Sequence, residues 1–291
     1  MEKQPATEKT SYLSDVIRRF KAHKLALLGL ILLMIEILCV FLLPFIFKLD
    51  PYTSLFDLPF GSPPVSRYIF GTDDIGRDNF ARFLSGGQVS MIVGLISSTI
   101  SLLIGVPLGL IAGYFRGTAE MVIMRLADVF MSFPSLILIL VLVSVLGQSI
   151  ATVIMVIGIL GWPSFARLIY GNVLSVREKE YVEAARAIGT ENREILIKYV
   201  LPNAFSPALV AFTFRCAQAI IIESSLSFLG MGVQPPQASW GNILFYAQSI
   251  SILSQRPWFW LPPGIALMLT VLSINFVGDG IRDALDTKMV I

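Results

Sequence analysis

The chain has 291 residues, 55% of them hydrophobic and only 14% charged, with a mean hydropathy of +0.75. These values exclude an ordinary soluble globular domain, so the solvent for most of the chain is lipid. The formal net charge of +2 needs no nucleic-acid partner, because the cations are distributed unevenly between the two ends of the apolar runs.

Residues 1–24 form a basic leading segment that includes Arg18, Arg19, Lys21 and Lys24. The apolar run that follows, 25–47, is longer than a secretion-signal core and ends in Pro44 and bulky side chains without a small-residue cleavage site. It is expected to remain as a first transmembrane helix. Further runs cover Met91 to Phe115, Val122 to Leu146, Ile150 to Ile169, Phe205 to Ile222 and Pro262 to Val277, which makes six candidate spans. Most approach the roughly 20 residues that cross about 30 Å of hydrocarbon, and none alternates in polarity as a barrel strand would. The expected fold is therefore an all-α membrane protein with about six transmembrane helices.

Residues 48–90 are expected to form an external loop, 91–278 a core with a polar loop at 178–203, and 279–291 a cytoplasmic tail. Lys and Arg orient this arrangement: fourteen lie before span one, between spans two and three, between four and five, or after six, against five in the opposite loops. The richer side is cytoplasmic, and both termini face it. Gly105, Gly109 and Gly113 stack on one face of span two, where a neighbouring helix can approach closely. Pro107, Pro134 and Pro163 are expected to kink their spans. Cys39 and Cys216 lie inside spans and read as buried thiols.

The polar loop reads EYVEAARAIGTENREILIKYVLPN. Val182, Ala185 and Ile188 recur at helical spacing, Gly189 can stop the helix in a left-handed conformation, and Thr190 with Glu191 can start the next. Pro202 is expected to end that second short helix. Ala184, Ala185 and Ala187 keep the first one slim enough to enter a groove on another protein.

Glu183, Ala184 and Ala185, then Gly189 after three residues, with Leu201 and Pro202 following, are similar to the EAA loop of ATP-binding-cassette importer permeases. GTDDIGRD, MRLADVFMSFPS, SSLSFLGMGVQPPQASWGN and NFVGDGIRDALD, in that order, resemble the dipeptide, oligopeptide and nickel permease family, and in particular its second permease subunit type. Thr287 after Asp286 departs from the Asp-Pro common in that family. The resemblance covers about residues 14 to 288 and implies a type I importer permease architecture in a bacterial inner membrane. Its implied partners are a second permease, two ATPases that hold the ATP and Mg, an extracytoplasmic substrate-binding protein and the lipid. Peptides are the implied cargo; nickel, metal chelates and glutathione-like solutes are the alternatives.

No GxxxxGK[ST] occurs in the chain, so energy is expected from partner ATPases and no cofactor is expected here. Their closure would move the surface helix of Tyr181 to Gly189, with Glu183 making polar contact and Gly189 setting the angle between the two short helices. Arg215 and Glu36, charged residues inside spans, either line the pathway or pair with helices of the partner permease, and Glu223 is a candidate for the pathway mouth. Asp73, Asp74 and Asp78 do not match an EF-hand spacing and read as caps and ion-pair partners of Arg77. Asp279, Arg282 and Asp283 are expected to pin the end of the last helix. Pro235 to Trp240 is expected to be a re-entrant gate or a docking surface for a binding protein; interfacial anchoring is the alternative for Trp240 and the better reading for Trp258 and Trp260. Two rival functions are weaker. An ion-coupled carrier has no use for an EAA loop. An intramembrane enzyme needs catalytic groups in the spans, whereas the single histidine, His23, precedes the first.

Overall fold

A computed structural model describes residues 12–285, which are almost entirely helical and contain only isolated β-bridges. In chain order the helices are α1 (Tyr12–Ala22), α2 (Lys24–Ile46), α3 (Asn79–Phe115), α4 (Gly117–Ser132), α5 (Ser135–Leu146), α6 (Ile150–Leu160), α7 (Trp162–Val176), α8 (Glu180–Ala187), α9 (Asn192–Glu194), α10 (Leu201–Phe228), α11 (Trp240–Phe245), α12 (Ile250–Gln255) and α13 (Pro257–Leu285). Among the described residues five helical stretches are long and apolar enough to span a membrane, or six if α4 and α5 together make one span. The departure from Asp-Pro at Thr287 lies outside the described residues.

α3 is the central post, packed against α7, α10, α6 and α2, while α2 and α13 pair beside it. It begins at Asn79 rather than at Met91, because Asp78 caps it by accepting from Phe80 N at 2.9 Å. Its 37 residues reach about 55 Å, so its first turns project beyond the hydrocarbon and carry polar residues that a hydropathy window misses. The glycine face is used as its spacing suggests. A Cβ on Gly105 would lie 2.5 Å from Trp162 O, and one on Gly109 2.8 Å from Ile169 Cβ, so α3 and α7 touch backbone to backbone. Gly109→Leu should cost about 3 kcal/mol through overpacking, read as a lower melting midpoint in detergent, whereas the same change at Gly171, where a Cβ meets nothing, should leave the midpoint unchanged.

Three spans depart from the expected single helices. The third is no kinked rod: α4 and α5 meet at 87°. Phe133, forced out of the helical region by Pro134, is extended at φ −94°, ψ 142°, and the chain turns there. The fourth breaks at Gly161, whose N–H bonds to Gly158 O in a tighter turn. In the fifth, Pro202 does not end the short helix. It sits in the first turn of α10, and a π-helical turn at Ile195–Val200, in which Leu201 N–H reaches back to Leu196 O, carries the helix through without the proline donor.

The loop before α3 is compact. Asp73 accepts from the Arg77 backbone at 2.8 Å and from its Nε at 2.7 Å, with Arg82 Nε at 3.5 Å, all buried. Asp74 pairs with Arg256. At the far end of the bundle His23 caps α2 through Nδ1 and places Nε2 3.4 Å from Asp283, joining the entry of the first span to the exit of the last.

Candidate functional site

The polar loop between α7 and α10 folds as a helix, a tight turn and a second helix, held rigidly to the bundle. Val182 and Ala185 of α8 are buried in a cluster with Tyr114, Val173, Ile195 and Val200. Arg177 Nη1 donates to Gly113 O and Tyr114 O at 3.2 and 3.1 Å, closing the end of α3, and Tyr114 Oη donates to Asn192 Oδ1 at 2.7 Å. The Arg186 guanidinium lies 5.1 Å from the centre of the Tyr114 ring. Gly189 is at φ +83°, with its N–H on Arg186 O and Thr190 N–H on Ala185 O, a complete Schellman turn.

Two assignments within this helix change. Ala185 is buried at 4% and anchors α8 to the bundle, so it is not on the face open to a partner. Ile188 is 82% exposed rather than inward, because each three-residue step falls about 60° short of a full turn and two such steps carry it round the helix from Val182. The open face consists of Tyr181, Glu183, Ala184 and Ile188; Leu201 is half-buried and Pro202 exposed at the start of α10.

From this end a polar stripe climbs α4 and α7 toward mid-span. Tyr170 Oη donates to Glu120, Arg116 Nε is 3.6 Å from Glu120, and Asp128 pairs with Arg167 and, at 3.8 Å, with Arg125. All of these except Arg116 border an open cavity of about 550 Å³. The Arg125 side chain is 81% exposed, and a charge on a spanning helix is too costly to leave facing lipid, so this face meets water or another subunit.

Arg215 lies above the stripe, near the middle of α10, opposite both helix breaks. Because Gly161 N–H bonds to Gly158, the Ile157 carbonyl is free, and Arg215 Nη2 takes it at 3.0 Å. Arg215 Nη1 donates to Gln218 Oε1 at 3.0 Å, and its buried Nε has no partner. The residues on either side of the two breaks, Phe133 and Ser135, Gly161 and Ser164, line one cavity with it.

Glu36 and Glu223 lie elsewhere. Glu36 accepts from Thr270 Oγ1 of α13 at 2.7 Å, so within this chain it ties the first span to the last. Glu223 is fully buried and open to no mouth. Its carboxylate accepts from Ser90 Oγ at 2.9 Å and Ser227 Oγ at 2.8 Å; Ser90 also receives Trp240 N–H, and Ser227 receives Val233 N–H. This cage fixes the hairpin from α10 to α11 against α3. Trp240, likewise fully buried, stacks on Phe83 and donates to its carbonyl at 3.0 Å. Asp128, Glu120, Tyr170, Ser164 and Gln218 were not singled out from sequence, although Ser164, Arg167 and Tyr170 recur every three residues, a spacing that puts polar groups on one side of a helix.

The described residues thus form a polytopic helical bundle with a polar stripe inside its spans and a rigidly mounted helix at one end, the class of membrane-embedded α-helical protein to which transporter subunits belong. Residues 105–291 match the model for the binding-protein-dependent transport system inner membrane component, and 11–64 that for the N-terminal transmembrane domain of oligopeptide transport permease C. The chain belongs to this family of ABC importer permeases, multi-pass proteins of the inner membrane that work in complexes with ATPases and a second permease. It is 41% identical over 270 residues to a putative peptide permease of Brucella suis, covering 93% of this chain and 89% of the relative. It is 37% identical over 275 residues to the oligopeptide transport system permease protein OppC of Bacillus subtilis (94% and 89%), and 41% over 226 residues to the glutathione transport system permease protein GsiD of Pectobacterium atrosepticum (78% and 74%). A methionine ABC transporter in an inward-facing conformation shares the fold at a TM-score of 0.57 and 19% identity, over 70% of this chain and 97% of that one.

Proposed function

We propose that this chain is one of two unlike permeases that form the pathway of a peptide importer, with its termini and α8 on the cytoplasmic side. Two ATPases, carrying ATP and Mg, drive the pair from the cytoplasm, one of them docking on α8, and an extracytoplasmic binding protein delivers cargo to the opposite face. The observation that supports coupling is the mounting of α8: Val182 and Ala185 clamp it to the ends of α3 and α7, while Tyr181, Glu183, Ala184 and Ile188 stay open. A push on that face moves the span ends as one body, with Gly189 and the turn transmitting it to α10. Peptide as cargo is supported by the peptide and oligopeptide permeases among the relatives.

Purifying the tagged chain in mild detergent from its own cells, with quantitation of every protein that accompanies it, tests the assembly. One unlike permease and two P-loop ATPases are expected per chain. Recovery of the chain alone, or as a homo-oligomer with uptake driven by an ion gradient, would overturn the reading.

A further inference from the structure

We infer that the cavity at the two helix breaks, of about 210 Å³, is a carboxylate site that holds the C-terminal carboxylate of a peptide in transit, with Arg215 as its cation. The inference rests on the peptide-importer reading above and names the group recognised.

The cation comes first. Arg125 and Arg167, the other arginines within or at the edges of the apolar runs, share Asp128, whereas Arg215 bonds only to neutral acceptors, Gln218 Oε1 and Ile157 O, and has no ion pair among the described residues. A guanidinium near the middle of a spanning helix without a carboxylate is a charge that lacks its counterion. Its Nε is buried and unpartnered.

The backbone adds donors of the same sign. The cavity is lined by Ser135, the first residue of α5, and by Gly161, Pro163 and Ser164 at the start of α7. These helices have 12 and 15 residues, and neither start is closed by a side-chain cap. The bend at Phe133 therefore brings the N-terminus of α5, with its free N–H groups and positive dipole end, to the arginine, and carboxylates are bound at such half-helix ends; α6 and α7 run on as one 27-residue span interrupted at Gly161, and Pro163 there has no N–H to give. Gln218, whose Oε1 is committed to Arg215, keeps its amide NH2 as a further donor, and the Ser164 hydroxyl is exposed at the rim.

Size restricts the ligand. The cavity is smaller than the roughly 300 Å³ at which pockets begin to enclose whole drug-sized molecules, so it takes one end of a peptide rather than all of it. The terminal carboxylate is the anion that every free peptide carries whatever its side chains, and holding it gives a foothold independent of sequence.

The test uses the assembled complex in proteoliposomes, with Cys39 and Cys216 replaced by alanine and Ser164→Cys as the reporter. Rates of modification by an anionic and a cationic methanethiosulfonate are compared. An anion preference of about ten-fold or more is expected, abolished by Arg215→Gln and retained by Arg215→Lys, with protection by a free tripeptide but not by its C-terminal amide. Uptake of the same tripeptide by the unmodified complex is measured in parallel. A preference indifferent to Arg215→Gln would overturn the site. A preference that depends on Arg215 without protection by the free peptide, in a complex that still imports it, would overturn the carboxylate assignment, leave the importer reading intact and point to a counterion from the second permease. No uptake of any peptide by the unmodified complex would defeat the importer reading itself.

Discussion

Gly189→Val is expected to leave ATP hydrolysis by the assembled importer running while uptake per ATP falls about ten-fold. A Cβ at Gly189 meets nothing within 4 Å, so the substitution creates no clash. Its whole effect is on the backbone. At φ +83° a β-branched residue is strained by about 2 kcal/mol or more, enough to move the turn into another conformation and alter the angle between α8 and the helix leading into α10. Asn tolerates the left-handed region, so Gly189→Asn should keep most of the coupling. Phosphate release and uptake measured on the same vesicles check this. A normal ratio in the valine variant would show that the turn does not transmit the stroke.

For Glu223 two substitutions are expected to separate a structural from a transport role. Glu223→Leu removes the acceptor shared by Ser90 and Ser227, leaves two buried hydroxyl protons without it and should cost about 3 kcal/mol, seen as a lower melting midpoint and a poor yield of complex. Glu223→Gln keeps an acceptor, and the serine hydroxyls can rotate to receive from its amide, so stability and uptake should both stay close to those of the parent chain. A glutamine variant that is fully stable yet does not transport would sink the cage reading and return Glu223 to the pathway.

The two residues also show how differently parts of the molecule are written in the chain. The left-handed turn at Gly189 could be read directly, because a glycine after an amphipathic stretch is a local signal whose free energy is set by neighbours in sequence. Glu223 could not. At the end of an apolar run an acid reads as a group at the pathway mouth, and nothing nearby in sequence announces that Ser90, 133 residues away, will donate to it. Pro202 misled for a related reason: proline stops a helix only where its missing donor is needed, and the π-turn at Ile195–Val200 removed that need.

By itself, then, the sequence determined that the chain is a helical membrane protein, where most of its spans lie, which face of α3 accepts a close neighbour, and the turn that ends α8. All of these depend on span length, on periodicity or on one residue's backbone preference. Only the tertiary structure decided that the third and fourth spans are broken opposite Arg215, that Ala185 faces inward and Ile188 outward, and that Asp128 meets Arg167 across 39 residues. The physical reason is that lipid is as apolar as the side chains facing it. Helices in a membrane are paired by shape and by hydrogen bonds between distant residues rather than by burial, so the choice of neighbour leaves little mark on hydropathy.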